Sequence, residues 1–136
     1  MLDLFRLLCD FGLVVLIWMV QLIIYPSFKY YSSENLTTWH KLYTIRVAYV
    51  VIPLMFGQLG LAITQVSIDA SYLSVLSLVL VLLIWAHTFL FFAPSHGKIA
   101  ANNITKDFIQ KIVRINWWRT FLWTIVFLLS FTQFQL

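Results

Sequence analysis

The sequence predicts an all-α protein, an antiparallel bundle of four transmembrane helices. Hydrophobic residues make up 62% of the 136-residue chain and charged residues 10%, whereas soluble domains contain about 45–50% and 25% of these classes. The mean hydropathy is +0.90. Four segments are apolar over about 20 residues, the length that a helix needs to cross a bilayer. We therefore predict a single integral membrane domain over residues 1–136, with the lipid bilayer as its surroundings.

The four predicted spans cover residues 4–25, 44–66, 72–93 and 112–134. Pro26 and Pro94 directly follow the first and third spans and are predicted to end those helices, because proline lacks the N–H that continues a helix. Pro53 lies inside the second span, where it is predicted to kink the helix. Only a few residues separate the second span from the third, so these two helices are predicted to form an antiparallel hairpin.

The basic residues are distributed unevenly between the two ends of the predicted bundle. Eight of the nine lie in or beside the two longer connections: Lys29, Lys41, Arg46, Lys98, Lys106, Lys111, Arg114 and Arg119. Only Arg6 lies at the other end. Because cytoplasmic loops are enriched in Lys and Arg, both long connections are predicted in the cytoplasm and both termini outside, in the periplasm. The net charge of +4 thus reports orientation, and no nucleic-acid partner is predicted.

Capping residues predict that the second and fourth helices extend past the membrane on the cytoplasmic side. Ser32 or Ser33 is placed to cap a helix that begins near Glu34. Thr105 is placed to cap a second helix, with Ile104 in position for a hydrophobic staple.

A layer of polar residues is predicted in the cytoplasmic half of the bundle. At a rise of about 1.5 Å per residue, every span contributes to it one or two turns from its cytoplasmic end. The layer consists of Gln21, Arg46, His87, Asn116 and Arg119. Aromatic and imidazole side chains follow just beyond it, at Tyr25, Trp39, His40, Tyr43 and His96. Polar residues at membrane depth are costly, so each is a candidate for function.

Helical spacing predicts that these residues converge. Trp39, Tyr43 and Arg46 share one face of the second helix, at positions i, i+4 and i+7. On the fourth helix one face carries Asn116, Arg119, Thr120 and Trp123. Such a polar layer among aromatic rings is typical of a mostly apolar pocket that binds a ligand through a few fixed hydrogen-bonding groups.

Roles for these residues follow from their chemistry. Arg119 and Arg46 are predicted to bind a phenolate or carboxylate, as fixed charges in a dry site do. His87 or His40 is predicted to accept a proton, because imidazole titrates closest to neutral pH. The candidate catalytic residues are therefore His87, His40 and Arg119. The candidate ligand-binding residues are Gln21, Tyr25, Trp39, Tyr43, Arg46, Asn116, Thr120 and Trp123.

Each of these residues also has a structural interpretation. The arginines can reach lipid phosphates from within the membrane, and Gln21 and Asn116 can simply bond neighbouring helices together. At the opposite end, Arg6 and Asp10 lie at i and i+4 and are predicted to form a local ion pair near the outer surface. That half of the bundle is predicted to hold few polar groups beyond Gln58 and Gln65.

Several kinds of chemistry are excluded or disfavoured by the residues present. The single cysteine, Cys9, excludes an intrachain disulfide. The chain carries no GxSxG, HExxH or phosphate-binding loop, which disfavours hydrolases and zinc proteases. No metal site is predicted and no cofactor is required. Haem bound through His87 or His40 is a less favoured alternative, since the sequence carries no haem-attachment motif.

The order of these motifs resembles that of the small four-helix membrane proteins grouped with anthrone oxygenases. The residues that carry the resemblance are Gln21, Tyr25-Pro26, Trp39-His40, Tyr43, Pro53, Pro94-Ser95-His96 and Asn116-Trp117-Trp118-Arg119-Thr120. It implies oxidation of polycyclic phenolic substrates without metal or flavin. A weaker similarity, to the haem-containing membrane protoporphyrinogen oxidases, implies a histidine in the first span, and this first span has none.

Two functional hypotheses of different classes follow. In the first, the four helices bind a flat lipophilic, aromatic molecule in a pocket in the cytoplasmic half, and a narrower version makes the protein an oxidoreductase. In the second, the protein is a non-catalytic accessory or assembly subunit. Its helices then pack on a membrane-protein partner or on a second copy, and the polar layer is structural.

Overall fold

The computed structural model describes residues 1–92, 94, 95, 97 and 106–136, and over these it is an all-helical bundle. Helix α1 covers Leu2–Tyr30, of which Leu2–Met19 is regular α-helix and Val20–Ile24 is π-helix. Helix α2 covers Ser33–Ile68. Helix α3 covers Tyr72–His87 and continues as π-helix over Thr88–Phe92. Helix α4 covers Lys106–Gln135.

The predicted fold class is confirmed. In the described part of the chain, four helices are long enough and apolar enough to cross a membrane, and no strand is present. Each helix packs on its neighbours in sequence, and α1 closes the ring against α4. We call the end with the α2–α3 connection at residues 69–71 the hairpin end. The end where α1 leads into α2 is called the loop end.

The surface of the bundle is apolar and much of its interior is polar. Leu22, Ile23 and Trp118 are 59%, 61% and 64% exposed, while the buried residues include Arg6, Asp10 and Asn116. This distribution reverses that of a soluble protein and suits a solvent of lipid tails. The chain is a multi-pass integral membrane protein.

The prediction that Pro26 ends the first helix is wrong. The chain stays helical through Tyr25–Ser27 and a further turn to Tyr30. The π-helical segment Val20–Ile24, which is wider than an α-helix, comes just before the proline. It shifts the backbone register, so the proline ring avoids the carbonyl with which it would clash in a regular α-helix. Ser27 then donates a hydrogen bond of 2.7 Å to the carbonyl of Ile24.

The end of the third helix repeats this arrangement. Pro94 follows the π-helical segment Thr88–Phe92 at the same distance as Pro26 follows its own. Pro94 and Ser95 are helical as well, and Ser95 donates a hydrogen bond of 2.6 Å to the carbonyl of Phe91. Neither proline therefore terminates its helix by itself.

Helices α2 and α4 are longer than the membrane thickness requires, as predicted. With 36 residues, α2 is about 54 Å long, against a hydrocarbon core of about 30 Å. Ser32 caps it, accepting a hydrogen bond of 3.3 Å from the backbone N–H of Asn35. α2 passes through Pro53 as one helix. The predicted cap at Thr105 and the staple at Ile104 lie outside the described residues.

Candidate functional site

The hairpin end contains a buried ion pair. Arg6 Nε lies 2.8 Å from Asp10 Oδ2, and both side chains are fully buried. The guanidinium also donates to Gln65 Oε1 at 3.1 Å and to Ser77 Oγ at 2.8 Å. One arginine of α1 thus contacts α2 and α3 as well as its own helix.

The ion pair is the centre of a network that reaches all four helices. Gln58 donates to Asp10 Oδ1 at 2.6 Å, and Ser130 of α4 also hydrogen-bonds Asp10. Gln65 donates to Asp3 at 2.8 Å. A buried charge is tolerated only when paired and hydrogen-bonded, and this network meets both conditions. We refer to Arg6, Asp10, Gln58, Gln65, Ser77 and Ser130 as the hairpin-end network.

The predicted ion pair between Arg6 and Asp10 is confirmed, and both side chains are fully buried in the bundle. The prediction that this end holds few polar groups beyond Gln58 and Gln65 is wrong, because Ser77 and Ser130 also bond the pair. The i and i+4 spacing alone does not distinguish an exposed pair from a buried one. A signal was nevertheless present, because Gln58 and Gln65, at i and i+7, lie on the same face of α2. Every member bonds another member or the backbone, which marks the network as structural.

A second polar cluster joins α1 to α4 in the predicted layer. Asn116 donates to Gln21 Oε1 at 2.9 Å, and Thr120 donates to the same oxygen at 3.4 Å. Gln21 in turn donates to the carbonyl of Val113 at 3.2 Å. These side chains are all buried. Gln21, Asn116 and Thr120 therefore converge, as predicted.

Arg119 lies beside this cluster and is 8% exposed. Its guanidinium is 3.5 Å from Asn116 Oδ1 and hydrogen-bonds the Tyr25 side chain. It also lies 4.9 Å from the ring centroid of Trp123, which is a cation–π contact. Tyr43 is close enough to interact with it electrostatically. Aromatic side chains therefore surround the guanidinium of Arg119 on at least three sides, at Tyr25, Tyr43 and Trp123.

A cavity of about 350 Å³ begins at the buried Arg119 and opens to the surface of the bundle, where exposed Ile52, Phe56 and Phe89 line it. We refer to it as the internal cavity because its polar end lies inside the bundle. It lies among α1, α2 and α3, and Val20, Val47, Val51, Met55 and Phe56 are among the apolar side chains of its wall. Its polar lining consists of Tyr25, Tyr43, Thr44, Trp85, Thr88 and Arg119. The cavity is therefore apolar along most of its wall and polar at the end where Arg119 meets the two tyrosines.

The polar groups of the cavity are mostly hydrogen-bond donors. Thr44 and Thr88 already donate to the carbonyls of His40 and Ile84, at 2.6 and 2.8 Å. Trp85 Nε1 is buried and has no hydrogen-bond partner within the described residues. Because an indole N–H can only donate, an acceptor atom in the cavity would satisfy it.

Two other candidate site residues lie apart from the layer. The side chain of Arg46 is exposed, so this residue does not point into the bundle as predicted. Trp39 is 36% exposed, and its ring stacks between Tyr31 and Tyr43, with centroids 6.4 and 6.2 Å away. Both lie on the loop-end part of α2, outside the internal cavity.

His40 and His87 lie next to residues that line the cavity, through Thr44 and Arg119 respectively. His40 is buried, packs edge-on against Phe28 and lies 3.4 Å from Thr44 Oγ1 through its Nδ1. His87 is half-buried, with its ring 4.8 Å from that of Phe91. Neither lines the cavity, and their roles as proton acceptors stay predictions. His96 lies outside the described residues.

Over residues 1–92, 94, 95, 97 and 106–136, no group of three His, Cys, Asp or Glu side chains is placed to hold a metal ion. The ligand chemistry of the cavity is therefore that of an arginine, phenols and an indole.

No family model matches the chain, and no curated protein or solved structure matches it either. The fold and surface define its class, a four-helix integral membrane protein.

Proposed function

We propose that the protein binds a lipophilic, aromatic ligand in the internal cavity. The observation that carries this proposal is Arg119, a buried cation that meets two tyrosines at the end of an otherwise apolar space. The guanidinium and the two phenol hydroxyls present positive charge and hydrogen-bond donors to the cavity. They suit a ligand oxygen with negative charge or high electron density, such as a phenolate, carboxylate or quinone carbonyl.

The rest of the cavity supports the same class of ligand. Its wall offers aliphatic and aromatic contacts to a flat ring system, and Trp85 supplies a second donor. Gln21 and Asn116 are bonded mainly to each other and to the backbone, so we assign them to holding α1 against α4. This division separates residues that bind the ligand from residues that support the site.

An oxidoreductase activity is the narrower form of this proposal. The resemblance to anthrone-oxygenase-like proteins implies phenolic substrates, and Arg119 is placed to stabilise a phenolate beside Tyr25 and Tyr43. A proton acceptor is also required. The candidates are His40, whose ring centroid is 6.3 Å from that of Tyr43, and His87, which interacts electrostatically with Arg119.

The accessory-subunit hypothesis has one observation in its favour. The hairpin-end network and the Gln21 cluster satisfy themselves within the chain, as expected when polar residues serve to join helices. Under this hypothesis the cavity holds no specific molecule, and the purified protein carries only detergent and lipid.

Filling the internal cavity with a larger side chain distinguishes the ligand-binding hypothesis from the accessory-subunit hypothesis. Ala48 lines the cavity, and we expect Ala48→Phe to lower the amount of co-purifying lipophilic aromatic compound by roughly tenfold or more, the effect of losing about 1.4 kcal/mol of binding. The measurement is mass spectrometry of an organic extract, normalised to protein. Ala86 is exposed on α3, so Ala86→Phe is the matched control. A wild-type extract without such a compound favours the accessory subunit.

We also propose the orientation that the basic residues indicate, with the loop end in the cytoplasm. Alkaline phosphatase fused to either terminus is expected to be active, and green fluorescent protein at the same position to be dark, because both termini then lie outside. Bright fluorescence from fusions at both termini would reverse the assignment.

A further inference from the structure

A second cavity opens at the loop end, where α1 ends, α2 begins and α4 has made its first turns. Its volume is about 760 Å³. The side chains that line it are mainly aromatic and aliphatic, with two cations among them: Tyr25, Pro26, Phe28, Lys29, Tyr30, Tyr31, Ser33, Leu36, Ile109, Gln110, Val113, Arg114 and Trp117. We refer to this space as the interfacial groove.

The charge of the groove is of one sign. Lys29 and Arg114 both line it, on α1 and α4, and both side chains are exposed. None of the described residues that line it is acidic. Lys29 Nζ lies 4.9 Å from the ring centroid of Tyr30, which holds the ammonium beside an aromatic side chain. A molecule in the groove would therefore meet two cations that approach it from different helices.

The groove lies at the depth of lipid headgroups. From Arg114 to Phe134 and from Leu4 to Ile24, helices α4 and α1 each rise about 30 Å, the thickness of a hydrocarbon core. Lys29 and Arg114 thus lie at or just beyond its boundary. Exposed Tyr30 and Trp117 lie on either side of this boundary, within the interfacial region where aromatic residues are enriched in membrane proteins.

We propose that the interfacial groove binds the headgroup of an anionic phospholipid. Lys29 and Arg114 contact the phosphodiester, and Arg114 offers the planar set of donors that suits two phosphate oxygens. The acyl chains leave the groove on its membrane side, along Val113 and Trp117. A choline headgroup would bring an ammonium into a groove without a carboxylate, so an anionic lipid is preferred over a zwitterionic one.

The test is a lipid titration of the purified full-length protein followed by native mass spectrometry. The probes are palmitoyl-oleoyl phosphatidylglycerol and the matching phosphatidylcholine. We expect phosphatidylglycerol to bind more tightly. The double variant Lys29→Gln/Arg114→Gln is expected to weaken its binding roughly 30-fold, as for two basic residues near a membrane surface. Phosphatidylcholine binding should change much less, because the attraction of the two cations for its phosphate is offset by their repulsion of its ammonium.

The control removes the same charge elsewhere. Lys41→Gln/Arg46→Gln replaces two exposed cations of α2 that do not line the groove, and it should retain the preference for phosphatidylglycerol. An equal loss in both double variants would mean general surface charge and would overturn the proposal. So would an absence of lipid preference, or glycerol phosphate binding as tightly as the lipid. None of these outcomes depends on whether the internal cavity holds a ligand.

Discussion

Asp10→Asn is expected to destabilise the bundle by about 3–5 kcal/mol, the cost of leaving a buried charge without its partner. The substitution keeps the shape of the side chain but removes the charge that faces Arg6 at 2.8 Å. Gln58 donates to the same carboxylate at 2.6 Å, so its amide also meets a poorer acceptor. The measurement is unfolding in mild detergent, by heat or by titrated dodecyl sulfate.

The double variant Arg6→Met/Asp10→Leu is expected to recover much of this loss, because removing both charges removes the uncompensated one. Recovery should be incomplete, since Gln58, Gln65 and Ser77 lose bonds to the pair. Arg46→Met is the control at an exposed arginine, expected within about 0.5 kcal/mol of wild type. A double variant as unstable as Asp10→Asn would contradict this account of the network.

The size of this effect reflects the solvent. Between apolar helices in lipid there is little hydrophobic driving force, so polar contacts and close packing select the arrangement. The side chain of Arg6 hydrogen-bonds both α2 and α3, and Ser130 of α4 hydrogen-bonds its ion-pair partner Asp10. Packing at the hairpin end is close as well, since a Cβ on Gly57 would come within 3.3 Å of Cys9 Sγ.

The fold was predictable because its signals repeat over many residues. Four apolar stretches of membrane length predict four transmembrane helices, which the structure contains. Ser32, one of the two predicted capping residues, caps α2. Gln21, Asn116 and Thr120 were also placed correctly. Their spans run in opposite directions from a shared end, so counting residues from that end gives their depth.

The wrong predictions are those in which a shift of one residue decides which side chains of a helix face inward. After Tyr43 the inward face of α2 can continue at i+3 or i+4. It continues at Val47, which lines the internal cavity, and Arg46 is therefore exposed. Likewise the π-helical segment before Pro26 shifts the helical register by one residue per turn. The mostly apolar sequence of that segment carries no signal that distinguishes π-helix from α-helix.

Arg119 and Gln21 provide the sharpest contrast between binding and packing, because both contact Asn116 but only Arg119 lines the internal cavity. Arg119→Gln keeps a donor for Tyr25 and leaves the bond between Asn116 and Gln21 in place. We expect it to lower stability by only about 1 kcal/mol. Retention of the co-purifying ligand should fall by roughly tenfold or more, because the charge that faces the ligand oxygen is lost.

Gln21→Leu should produce the opposite pattern. It removes the acceptor of Asn116 and Thr120 and the donor to Val113, so a buried amide is left unsatisfied at a cost of about 1–3 kcal/mol. The cavity lining is untouched, so the folded fraction should retain its ligand.

Arg119→Lys should not restore retention, because a point charge cannot replace a planar guanidinium that contacts Tyr25, Asn116 and the ring of Trp123. Parallel melts and extracts measure both quantities. If Arg119→Gln is the unstable variant and keeps its ligand, Arg119 belongs to the packing of the bundle and the proposed binding site is wrong.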